Sequence, residues 1–133
     1  MSDADQPSTV RYEPWLYASV VPSNWSALPV NLAGKWCIFA DAKAIDCAWG
    51  RVRAAVRSGR LQCAKSSTAF GALFHRGEYV ICVYCPDSHD RDAVMRAREI
   101  LRDLGVSEEL GYKTDQATRD SIYGTADEWL YRN

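Results

Sequence analysis

Apolar positions along the chain recur with two different periods. Ile45, Ala48, Trp49, Val52, Ala55 and Val56 are spaced three or four apart and predict a helix from about Lys43 to Ser58. Asp41 suits its N-cap and Gly59 its stop. Val94, Ala97, Ile100, Leu101 and Leu104 predict a second helix over about Asp90 to Leu104, with Asp87 or Ser88 as cap and Gly105 as terminator. Before, between and after them lie short apolar runs of strand length: Trp36 to Ala40, Leu61 to Ser66, the segment "EYVICVYC" ending at Cys85, and about Gly111 to Lys113. Thr125 and Glu128 read as a capping box for a last helical turn carrying Trp129 and Leu130. Residues 1–12 are polar and read as a disordered tail. "YEPWLYASVVPSNWSALP" follows, with three prolines and two tryptophans, and reads as an irregular arm pinned by its aromatics. The expected architecture is a single α+β domain over 13–133, a small, mostly antiparallel sheet covered on one face by two main helices.

Composition sets limits on this picture. With 133 residues, 47% hydrophobic and 25% charged, the chain is of ordinary globular type. No apolar run approaches the ~18 residues of a membrane span. The opening "MSDADQPSTV" lacks a basic region and an apolar region, so no signal peptide or membrane is expected. Five cysteines, an odd number set mostly in apolar segments, predict free thiols in a reducing, cytoplasmic setting. In "CVYC", residues 82 and 85 fall on opposite faces of a strand and cannot readily chelate or bridge. Neither the two histidines nor any Gly-rich loop forms a metal or nucleotide motif, so no metal and no cofactor is expected. The net charge of −1 hides an asymmetry: from Cys47 to Gly77 there are six cations and no acid. Such a stretch reads equally as an anion-binding face or as a solvated helix face.

Lysine usage sharpens the question. There are only four, and Lys35, Lys65 and Lys113 stand at strand ends or within predicted strands. An ammonium in a sheet must be desolvated or snorkel, so such lysines serve either as guards of a sheet edge or as groups gathered for phosphate or proton chemistry. "GKW", "CAKSST", "VICVYC" and "YKTD", with the helices between them, resemble the family of the basophilic-leukaemia-expressed protein. That resemblance implies a fold like the messenger-RNA cap-binding initiation factor.

The same segments more distantly resemble the phosphothreonine lyases, which eliminate phosphate from a phosphorylated peptide or protein and leave a dehydroamino acid. That likeness implies Lys65 as the base at Cα and Lys35 as the partner of the enolate or phosphate. It implies Lys113 and Arg119 as phosphate ligands, and charge alone adds Arg53 or Arg57. The lyases carry a histidine as acid two residues after the first lysine, where this chain has Cys37; His75 is the other candidate acid. The leading expectation is therefore a lyase-like protein using Lys65, Lys35 and Cys37. The alternative is a non-catalytic module that binds a phosphopeptide, nucleotide or RNA end on a cap-binding-like sheet, with Trp15, Trp25, Trp36 and Trp49 as the aromatic candidates. Of these, Trp36 and Trp49 read more naturally as core.

Overall fold

The two helical stripes bury themselves against one face of a sheet, and this sets the layer order. In the computed structural model, residues 5–19, 32–119 and 129–133 are described, with the side chain of Arg119 left out. The strands are β1 (Trp15–Ser19), β2 (Gly34–Ala40), β3 (Cys63–Ser67), β4 (Tyr79–Cys85), β5 (Gly111–Thr114) and β6 (Tyr131–Arg132). They form one curved sheet in the order β1-β3-β4-β2-β5-β6, with every neighbouring pair antiparallel. The helices are α1 (Ala42–Arg57), α2 (Ala69–Ala72), α3 (Arg91–Asp103) and α4 (Asp115–Arg119).

α1 begins where Asp41 accepts hydrogen bonds from the amides of Lys43 and Ala44, as its spacing predicts. Its buried stripe of Ile45, Trp49, Val52, Ala55 and Val56 meets Trp36, Ile38, Ala64, Ile81 and Val83 of the sheet. α3 adds Val94 and Leu101 to the same core. Its cap is Asp90, which accepts from Ala93, while Asp87 serves the amide of His89 instead.

Two expectations are corrected. The supposed irregular arm contains an edge strand: Leu16 and Ala18 turn inward, Tyr17 is exposed, and the run pairs with β3 from Trp15↔Ser67 to Ser19↔Cys63. Its alternation is that of a half-buried strand, and the prolines bound it without interrupting it. Trp129 and Leu130 are not helical: the chain bends at Leu130, whose amide donates to the Tyr112 carbonyl at 2.8 Å, and leads into β6. The capping box at Thr125 and Glu128 and the candidate Trp25 lie outside the described residues. Part of the stretch read as a tail packs on the body, with Pro7 and Val10 buried and Ser8 bonded to Asp46 of α1.

A buried arginine ties the last strands to α3. Arg98 is fully buried, and its guanidinium donates to the carbonyls of Val106 at 3.0 Å, Glu108 at 2.7 Å and Asn133 at 2.6 Å. These bonds fix the approach to β5 and the end of β6, and β5 carries Lys113.

Candidate functional site: a lysine-lined cavity on the open face of the sheet

Strand alternation sends the remaining side chains to the face without helices α1 and α3. The strand register arranges them in rows. One row runs Lys113–Lys35–Tyr84–Cys63, and the next runs Gly111–Cys37–Cys82–Lys65–Tyr17. Lys35, Lys65 and Lys113 thus come from three strands and line one cavity of about 360 Å³. Trp15, Cys37, Phe39, His75, Glu78, Cys82, Thr118 and Trp129 contribute to its walls.

Lys35 is the second residue of β2, inside the strand and 8% exposed; Lys113 is 4% exposed. The two are direct partners across β2 and β5. Like charges so placed repel, and the chain supplies a counter-charge at the point where β5 ends. The Asp115 amide donates to Ala33 at 2.9 Å, setting α4 beside β2. The Lys35 ammonium then donates to Asp115 Oδ1 at 3.0 Å and Thr118 Oγ1 at 2.9 Å.

Lys65 stands apart from this pair. Among the described residues it makes no ion pair, and its ammonium lies 4.0 Å from the centre of the Trp15 ring and 5.9 Å from that of Tyr84. Burial, reinforced by Lys35, pulls its pKa below the ordinary lysine value of 10.5, although the thiol of Cys82 and the Asp115 carboxylate pull the other way.

Cys37 does not enter the core under the helices. It faces the cavity, opposite Cys82. The Cys37 thiol donates to the Lys35 carbonyl at 4.0 Å, and the Cys82 thiol lies directly across the strand pair. The neighbouring Cys82 thiol and burial raise the Cys37 pKa well above that of an ordinary thiol. The neighbouring Cys37 thiol, with Lys65 and Lys35 nearby, lowers that of Cys82 against the effect of burial. Cys37 is therefore poorly suited to give a proton to a leaving group. Cys85 points the other way, into the core, as the strand spacing of "CVYC" predicts.

The remaining candidates divide. Arg53 and Arg57 lie on α1, which packs on the opposite face, so the sheet separates them from the lysines. The charge count from Cys47 to Gly77 thus mixes two sides of the molecule. Arg119 ends α4 near Asp115, but its side chain is outside the described set. Trp36 and Trp49 are core residues, and Trp15 is at the cavity. Sequence reasoning missed Trp129, which packs so closely on Gly111 that a side chain there would meet its ring. It also missed Asp115, although "YKTD" placed an acid two residues after Lys113. Among the described residues, no three His, Cys, Asp or Glu side chains are grouped to hold a metal ion. No described helix is long and apolar enough to cross a membrane.

The architecture, a curved antiparallel sheet with its helices on one face, is that of the eIF4E-like cap-binding fold. A schistosome eIF4E, solved with m7GpppA and 4E-BP, superposes with a TM-score of 0.69 at 15% identity, covering 98% of this chain and 75% of that one. C. elegans eIF4E-3, solved with the 4E-binding protein Mextli and a cap analog, gives 0.68 at 15% identity over 98% and 76%. Ascaris suum eIF4E-3 with an m2,2,7G cap gives 0.59 at 16% over 80% and 59%. Within that fold, the chain belongs to the family of basophilic leukemia-expressed protein Bles03, whose model matches residues 27–127.

Proposed function

We propose that the open face is a non-catalytic binding site for a phosphorylated ligand of nucleotide type, a free nucleotide or an RNA end. The observation that carries this is the convergence of Lys35, Lys65 and Lys113, from three strands, on one cavity that Trp15 and Trp129 also line. Lysines supply point charges for phosphate oxygens, and indole rings supply planar surfaces on which a base can stack. Lys65 is the residue with charge to spare, since Asp115 already answers Lys35. Solved proteins of the same fold hold cap nucleotides, which supports the reading at the level of the fold.

Phosphothreonine elimination is the second reading, favoured by the lowered pKa of Lys65. Against it stands Cys37, whose proton is held too tightly for the acid's part. One sample set tests both. Calorimetry with GTP, m7GTP, inorganic phosphate and a phosphothreonine peptide should show nucleotide binding, lost at least tenfold in Lys113→Ala. Mass spectrometry of the peptide after incubation should show it intact. Nucleotides that fail to bind would refute the first reading, and a peptide that loses phosphoric acid would establish the second.

A further inference from the structure

Cys37 and Cys82 have no part in holding phosphate, yet they sit in the floor of the cavity as direct partners on antiparallel β2 and β4. Directly opposed residues in such a pair have Cα atoms about 4.5–5.5 Å apart, within the span a disulfide closes. We infer that Cys37 and Cys82 form a reversible dithiol–disulfide couple, oxidised by hydrogen peroxide that enters the lysine-lined cavity.

The remaining thiols are placed differently. Cys63, fully buried, faces Tyr84 one row away; Cys85 is in the core, and Cys47 is exposed on α1. Cys82 is the attacking sulfur, because it stands directly opposite Lys65 across β3 and β4, where the ammonium favours its thiolate. Its thiolate attacks one peroxide oxygen, the O–O bond breaks, and the departing hydroxide takes a proton to leave as water. The Cys82 sulfenic acid is then attacked by the Cys37 sulfur. The S–S bond forms, and the Cys37 proton leaves with the sulfenic hydroxyl as a second water. Two thiols and one peroxide become one disulfide and two waters.

Oxidation also changes the site. At a pH where Cys82 is ionised, oxidation turns a thiolate beside Lys65 and Lys35 into a neutral disulfide, so the oxidised protein should there bind inorganic phosphate about fivefold more tightly, the effect of one unit charge a few ångströms away in a water-like medium. This second part rests on the proposed anion site.

The full chain carrying Cys47→Ser would be titrated with hydrogen peroxide, alkylated and digested without reduction. Chymotryptic cleavage after Tyr84 separates Cys82 from Cys85. A Cys37–Cys82 cross-link that dithiothreitol removes is expected. Cys37 and Cys82 remaining alkylatable at peroxide levels that oxidise other thiols, or a Cys63–Cys82 link in its place, would overturn the couple. Phosphate affinity, measured on the same reduced and oxidised samples, should rise on oxidation. Equal affinities would overturn the charge coupling. No phosphate binding in either state would count against the anion site and leave the cross-link to decide the couple.

Discussion

Replacing Lys65 by methionine separates a ligand-binding lysine from a structural one. The substitution keeps an unbranched stem against Trp15 and Tyr84 and removes only the charge. In the folded protein that charge makes no ion pair among the described residues, so little stabilising interaction is lost beyond its ring contacts. A cation over an aromatic face contributes about 0.5–1 kcal/mol. Relief of the burial that lowers the Lys65 pKa offsets it. Stability should therefore stay within about 1 kcal/mol of wild type. Binding should not. A charge-assisted hydrogen bond to a phosphate oxygen is worth about 1.5–3 kcal/mol, or roughly 10- to 100-fold in affinity. Calorimetry with GTP or inorganic phosphate, beside thermal melts of the same samples, reads both quantities. Lys43→Met, an exposed lysine in the first turn of α1, is the control and should change neither. Unchanged phosphate affinity in Lys65→Met would refute the assignment. So would a fall in melting temperature large enough to account for the lost binding.

The geometry makes four further predictions. Phosphate affinity should decline as pH rises through the alkaline range before an ordinary lysine of pKa 10.5 discharges, because burial lowers the Lys65 value and only its protonated form holds an anion. The linkage sign for stability is opposite: folding disfavours the charged amine, so a cost present below the folded pKa disappears as pH rises toward the unfolded one, and chemical denaturation across that window should show stability increasing from this group. Arg98→Met leaves three carbonyls without their donor and should cost about 3 kcal/mol or more by urea titration; a change under 1 kcal/mol would contradict the clamp. Gly111→Ala forces the Trp129 ring from its place and should weaken nucleotide binding while sparing inorganic phosphate; equal effects on both would argue against stacking on Trp129.

Much of this fold was legible because two periods were unambiguous. The stripes of α1 and α3 and the runs of β2, β3, β4 and β5 all appear within a few residues of their expected limits. β1 was not legible, since prolines on either side of an alternating pentapeptide read as loop punctuation. Arg98 was also hidden: it falls between Val94 and Leu101 on the apolar stripe of α3, where an arginine reads as a break in the stripe. Its role appears only once the carbonyls of residues 106, 108 and 133 are in place around it. The site was half legible. Strand lysines are rare enough to draw notice, but a residue count has no layer information. Arg53 and Arg57 therefore looked like neighbours of Lys65 when the sheet lies between them.

The register itself bears on what the face is for. A sheet that needed only to fold could place apolar or opposite-charge pairs at Lys35 and Lys113, where two ammonium groups now stand opposed and nearly buried. The chain then adds Asp115 and Thr118 beside Lys35, and sets Lys65 one strand pair away against aromatic rings. Edge protection does not account for this, because β2, β3 and β4 are interior strands with partners on both sides. Nor does core stability, since each buried ammonium costs free energy that an aliphatic side chain would not. On the proposed reading, an anion that enters the cavity would ease the repulsion and recover part of the desolvation cost. On that reading the balance is why the lysines, more than the fold they stand on, carry the function.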